Sequence, residues 1–343
     1  MSSQRNSYFF LNSHGICSPP NHQEVRISDL INSSFILIPD NNICMHMSET
    51  DSSKQDKIKR EKVNNFLSYC YTSNITVIPN YGLLERASKP GTLELNHDKL
   101  IHFEDIFWRK LGHYSHNDRL SSVVTTIEPL KVFLYPFYAY LLNIKLLLLK
   151  RTPSRTNVET NFQDLYEFTN KIGITLSLPW QFALGVFGGS TELNKFISPK
   201  KGNVFQALWG AAWDLFYIQL IHEHNGIRRK DNNSFPRYIL VTDDKRCSTI
   251  GDFAKVTSAF DYGDTIYNGV MMNADFPHLN HISSFLSEIT LKMYYEIHQR
   301  AIERKSMSEL ERQNEIEEII NRADSLIIEL TKQLQFCQKK GFS

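Results

Sequence analysis

The chain has 343 residues, 41% apolar and 22% charged, with 15 Gly and 12 Pro. This excludes a disordered or fibrous polypeptide and is enough to bury a sizeable core without disulfides or structural metal. Thirty-eight Lys and Arg against 37 Asp and Glu leave a net charge of +1, which excludes a general polycationic coat for nucleic acid but not a local basic patch.

Residues 1–30, with Ser18-Pro19-Pro20-Asn21, read as a loose N-terminal arm, and Met1 to Asn12 lacks the basic segment and apolar run of a secretory signal. Phe35-Ile36-Leu37-Ile38, ended by Pro39 and Asp40, suits a buried strand of a parallel sheet. A charged stretch from Ser48 to Lys62 leads into a helical pattern from Val63 to Tyr71. A second strand follows at Ile75-Thr76-Val77-Ile78, ended by Pro79.

From about 95 to 200 the pattern is mostly helical. Val132 to Leu149 is apolar but interrupted by Pro136, Asn143 and Lys145, so a buried helix is expected rather than a membrane span. The aromatic stripe Phe133, Tyr135, Phe137, Tyr138 and Tyr140 within it reads as core. Asn203 to Glu223 forms one helix with a broad apolar face. Tyr238-Ile239-Leu240-Val241 is a third strand. Ser284 to Lys339, free of Gly and Pro, reads as one or two long amphipathic helices packing on the body or on a partner.

Each of these elements carries an acid at a defined point. Asp40 ends the first strand, Glu85 lies on the helix start after the second, and Asp244 follows the third in Thr242-Asp243-Asp244. Carboxyl ends of parallel strands share one edge, where ligand sites form. Asp214 sits on a helix among Ala211, Ala212, Trp213 and Leu215, where a carboxylate needs a partner such as a divalent cation. Taken singly, Asp40 is better read as a helix cap and Asp243 or Asp244 as a turn cap than as a ligand. Arg228, Arg229, Arg237, Lys245 and Arg246 cluster in sequence around the third strand and are the candidate phosphate-binding residues.

Strand then Asp-x-Asn (Asp40, Asn42), strand then helix-borne Glu85, helix-borne Asp214, and strand then Thr-x-Asp (Thr242, Asp244) resembles the PIN-domain nucleases. The resemblance implies a three-layer α/β/α core with a mainly parallel sheet, and four acids, Asp40, Glu85, Asp214 and Asp244, holding Mg²⁺ or Mn²⁺ with Asp243 as a further candidate ligand. Asn42 and Thr242 would then support the ligands by hydrogen bonds. The implied activity is metal-dependent hydrolysis of phosphodiester bonds, most often in single-stranded RNA, which suits hard cations held by oxygen ligands. Glu85 and Asp214 are 129 positions apart, far more than a compact PIN domain uses. The expected division is therefore an arm over 1–30, a core over 31–94 and 200–275, a helical insertion over 95–199 and a helical C-terminal region over 284–339.

Other motifs fall short. His222-Glu223-His224 and His113-x-x-His116 are not H-E-x-x-H, Gly188-Gly189-Ser190 lacks the Lys of a P-loop, and no G-x-S-x-G is present. Five scattered cysteines without a C-x-x-C pair fit free thiols in a reducing cytoplasm, the expected location. Three rivals to the nuclease are a silent PIN-like scaffold working through its C-terminal helices, a toxin-like nuclease restrained by a regulatory partner, and a phosphatase. The last lacks a D-x-D after the first strand. A second copy of the chain is a further candidate partner for the C-terminal helices.

Overall fold

The computed structural model describes residues 7–30, 34–49, 57–89, 94–112, 128–198, 203–226, 237–261, 266–272 and 276–340. Two compact units result, Met1–Glu128 with Tyr217–Asp252 and Pro129–Phe216 with Phe253–Ser343. In chain order the first unit opens with β1 (Phe9–Asn12), β2 (Gly15–Cys17), α1 (His22–Leu30), β3 (Phe35–Pro39), α2 (Asn41–Glu49), α3 (Lys57–Ser73), β4 (Thr76–Val77), α4 (Asn80–Ala87) and α5 (His97–Leu111). The second contains α6 (Lys131–Lys150), α7 (Val158–Ile172), α8 (Ser177–Phe187), α9 (Thr191–Ile197) and most of α10 (Val204–Gly226). The chain then returns for the end of α10, β5 (Arg237–Thr242) and most of α11 (Lys245–Phe253). It closes in the second unit with β6 (Ala254–Asp261), β7 (Ile266–Met272), α12 (Ser283–Ser306) and α13 (Glu309–Lys339).

The first unit is α/β, built on a small mixed open sheet of order β2-β1-β5-β3-β4. β3 lies between β5 and β4 and is parallel to both, with Leu37 opposite Ile239 and Val77, and Ile38 opposite Leu240. Leu37, Ile38, Leu240 and Val241 are almost fully buried, as the unbroken apolar runs require of a strand covered on both faces. Each such side chain contributes about 1.5–3 kcal/mol on leaving water.

Two expectations change. The N-terminal region is not a loose arm: β1 pairs antiparallel with β5, Phe10 opposite Val241, and β2 pairs antiparallel with β1. Phe10 and Leu11 are buried, so this pairing is fixed by apolar burial as well as by the ladder. The division along the chain also differs from 31–94, 200–275 and 95–199. The first unit takes in α5, whose Phe107, Trp108 and Leu111 join its core, and β6 and β7 go to the second unit.

In the second unit α6 is the central helix, and α13 packs along it. Ile319, Ala323, Ile327, Leu330 and Leu334 form the buried stripe of α13, spaced as the sequence pattern requires. The break before α13 is a capping box: the Ser308 hydroxyl accepts from the Glu311 amide at 3.3 Å, and the Glu311 carboxylate accepts from the Ser308 amide at 2.6 Å. Phe137, Tyr138 and Tyr140 are buried within this unit, in keeping with core. Lys131–Lys150 and Val204–Asn225 are each long and apolar enough to cross a bilayer by length and composition, and most of each is buried inside the fold.

Candidate active site

Asp40 follows β3 directly. Its amide donates to the Val241 carbonyl at 3.0 Å, extending the ladder by one residue, while its side chain turns back to begin α2. Oδ1 accepts from the Ile43 amide at 3.0 Å, so Asp40 is the helix cap that the plainer reading expected. Oδ2 accepts from the Thr242 hydroxyl at 2.6 Å and from the Asn42 side-chain amide at 3.4 Å. Asn42 and Thr242 thus stand where the Asp-x-Asn and Thr-x-Asp spacings put them. Asp40 is only 2% exposed, deeper than a cap needs to be. Burial pushes its carboxyl up to about 7, against the opposing pull of the Thr242 and Ile43 hydrogen bonds.

Glu85 reaches the same edge from α4. Gly82, one turn earlier, allows α4 to lie against the end of β3: a Cβ there would stand 2.7 Å from both the Pro39 carbonyl and the Cys44 sulfur. The Tyr217 hydroxyl donates to Glu85 Oε2 at 2.9 Å and the Asn41 amide to Oε1 at 3.4 Å. Loss of hydration raises the Glu85 carboxyl to about 8, the negative charge of Asp40 adds to the rise, and the two hydrogen bonds oppose it. The two acids therefore feel one another, at one sheet edge.

Asp243 and Asp244 follow Thr242 and divide. The Asp244 amide donates to the Thr242 hydroxyl oxygen at 2.8 Å, and its carboxylate caps α11 through the Arg246 amide at 2.7 Å. The Arg246 guanidinium meets both of its oxygens, at 3.3 and 3.0 Å. Asp243 turns instead toward α2 and α3. It pairs with the Lys62 ammonium, and its other oxygen lies 3.8 Å from His46 Nδ1. The Tyr8 hydroxyl is 3.3 Å from the same imidazole nitrogen, and Lys62 Nζ lies 5.9 Å from the centre of the Tyr8 ring.

Asp214 is half-buried on α10, three residues before Tyr217, and falls in the second unit. Of the basic residues, Lys245 and Arg246 are exposed at the start of α11. Arg237 belongs to the third strand, as its sequence position indicates. It opens β5, five residues before Thr242 and so roughly 16 Å along the strand from the acids, with its guanidinium 5.0 Å from the centre of the Phe35 ring. Arg228 and Arg229 lie outside the described residues.

Sequence reasoning missed Tyr217, Asn41, Tyr8, His46 and Lys62. Tyr217 lies one helical turn after Asp214, and the helical period alone would have placed it on the same face. Asn41 is the middle residue of the Asp-x-Asn motif itself, whereas Tyr8, His46 and Lys62 carry no linear signal, because only the fold brings them to Asp243.

Among the described residues no three His, Cys, Asp or Glu side chains are placed to enclose one ion. The donor set available is narrower: the carboxylates of Asp40 and Glu85, amide oxygens and water. It fits Mg²⁺ or Mn²⁺, which need only one or two carboxylates and retain waters. Asn41 Oδ1 supports the fit, being a buried acceptor oxygen with no hydrogen-bond donor, on the residue that also bonds Glu85. A cation or a water is the partner such an oxygen would take. Comparison with protein-family models, curated proteins and solved structures gives no significant match.

Proposed function

We propose that the protein is a metal-dependent nuclease with a PIN-like core, acting on phosphodiester bonds of single-stranded RNA. The observation that carries this reading is the burial of two mutually repelling carboxylates, Asp40 and Glu85, at the carboxyl edge of a parallel strand pair. Buried acids cost stability unless a cation or proton compensates them, and functional sites are where such pairs are retained. The parallel arrangement β5-β3-β4 with helices between its strands supports the PIN-like three-layer core, and the choice of RNA rests on family analogy alone.

In this reading Asp40 and Glu85 would hold Mg²⁺ or Mn²⁺, and Asp244, whose charge is felt by both, would be the further ligand within the first unit. When bound, the ion supplies a water nucleophile at neutral pH and neutralises charge on the leaving oxygen. Thr242 and Asn42 keep Asp40 in its ionised, ligating orientation. Tyr217 and Asn41 do the same for Glu85. Lys245 and Arg246 offer exposed positive charge to the substrate backbone.

Incubating the protein with labelled RNA and DNA in Mn²⁺, Mg²⁺ or EDTA tests this, beside an Asp40→Asn/Glu85→Gln double variant. Metal-dependent cleavage by the wild type and none by the variant supports the nuclease. A metal-loaded, folded wild type that cleaves neither polymer sinks it. The second reading, a silent scaffold, draws on α12, where Leu291 and Tyr295 are 71% and 64% exposed. On α13 the main apolar stripe is buried against α6 within its own unit, while Leu310 and Phe336 stay exposed.

A further inference from the structure

Lys62 was no part of the sequence-based site, yet its ammonium reaches the loop that holds two of the proposed site residues. The side chain comes from α3, is 15% exposed, and pairs with Asp243, which is 18% exposed. Asp243 is the neighbour of Thr242, whose hydroxyl holds Asp40. An ammonium has three donors. Among the described residues Asp243 Oδ1 takes one of them, and the Tyr8 ring faces the charge without accepting in the carboxylate sense. Two donors of a largely buried cation are thus open to a further acceptor, next to the residue that follows Thr242. At 15% exposure those donors are reached by water, which a ligand rich in acceptor oxygens can displace.

We infer that Lys62 is a phosphate-binding residue of this site, taking an oxygen of the polynucleotide backbone, with Asp243 as the counterion that aims it. The inference rests on the nuclease reading and deepens it. Lys245 and Arg246 lie exposed on α11 and suit the flanking backbone, whereas Lys62 is held by Asp243, itself flanked by His46, and lies over the Tyr8 ring. That fixity is what orienting one phosphate requires. Asp243 is then no ligand for the metal: its two oxygens face Lys62 and His46.

The rival account is a structural strap, in which the Lys62–Asp243 pair merely ties α3 to the β5–α11 loop. The two accounts differ in the sign of one substitution. A strap breaks alike from either side, so Lys62→Met and Asp243→Asn would act in the same direction. A phosphate-binding Lys62 gives opposite results, because Asp243→Asn removes the competing anion and leaves the cation in place.

The test is binding of a fluorescent oligouridylate to the full chain in EDTA, followed by anisotropy between about 50 and 200 mM salt. Lys62→Met should weaken binding by about 5-fold and make the slope of log K against log salt shallower by about 0.7, one phosphate's worth for a single strand. Lys62→Arg should restore the slope, and Asp243→Asn should keep it while tightening binding by about 2-fold. Lys62→Gln replaces Lys62→Met if the latter melts early. A folded Lys62 variant with unchanged slope, or Lys62→Met and Asp243→Asn weakening binding together, overturns the inference while leaving the nuclease reading standing. A wild type that neither binds nor cleaves any oligonucleotide overturns both.

Discussion

Thr242 donates a 2.6 Å hydrogen bond to Asp40, joining the ends of two parallel strands 202 residues apart in the chain. The bond favours the ionised carboxylate, and it is the closest hydrogen bond that holds Asp40 in place. Thr242→Val keeps shape and removes the donor. It should cost about 1.5–3 kcal/mol above neutral pH, where Asp40 is charged, and distinctly less near pH 5. Urea unfolding at the two pH values measures this, and an equal cost at both contradicts the assignment of Oδ2 as a charged acceptor.

The pH dependence of metal-free stability follows from the two raised carboxyls. Asp40 at about 7 and Glu85 at about 8 bind protons more tightly folded than unfolded, where such groups titrate near 4. Their contribution is complete below the unfolded values and is lost as pH rises through about 7 and about 8. In EDTA the melting temperature should therefore fall between about pH 5.5 and about pH 8.5. Mn²⁺ should recover more of it at the upper end, since the ion favours the charged forms. A melting temperature that climbs across that window in EDTA argues against buried, uncompensated acids.

Asp40→Asn should abolish cleavage yet leave metal-free protein at pH 8 more stable, by about 1–2 kcal/mol, because the amide still caps α2 and carries no buried charge. Calorimetry in EDTA checks the sign. Loss of stability in the variant means that Asp40 serves the fold alone.

Gly82→Ala has an unusual expected sign. Within a helix the change ordinarily gains about 0.5–1 kcal/mol. Here the new methyl would meet the Pro39 carbonyl and the Cys44 sulfur at 2.7 Å and the Asp40 carbonyl carbon at 2.9 Å. We expect a loss of about 1–3 kcal/mol and a weakened Mn²⁺ affinity, as α4 backs away and takes Glu85 with it. Unchanged metal binding by titration calorimetry would separate Gly82 from the site.

Ser308→Ala removes the cap that starts α13 and should cost about 1 kcal/mol without touching metal or nucleic-acid binding. Hydrogen exchange should locate the loss in the first turns of α13, and protection unchanged there refutes it.

Much of the first unit was legible because its parallel strands are short apolar runs closed by Pro or by acids, and burial on both faces leaves no other pattern. Asp40, Asn42 and Thr242 were legible through their spacing. The β1 pairing was not, since Phe9 to Asn12 is a short run followed by Ser13 and His14, and only its neighbour β5, more than two hundred residues on, makes it a strand. Lys62 was hidden for the same reason: in the run Lys57 to Lys62 it looks like any surface lysine until Asp243 arrives to meet it. The break at Ser308 was present in the sequence as Ser-x-x-Glu, but the absence of Gly and Pro drew attention away from it.

β5 sits between β1 and β3, so until it is made the sheet exists as two separate pieces, the β1–β2 hairpin and the β3–β4 pair. Synthesis on the ribosome delivers Asp40 and Glu85 early, but Tyr217, Thr242 and Asp244 only after about two-thirds of the chain has emerged. Such late, distant pairing slows folding. It also means that a nascent chain carries Asp40 and Glu85 without their hydrogen-bonding partners Thr242 and Tyr217 until about two-thirds of it has been made.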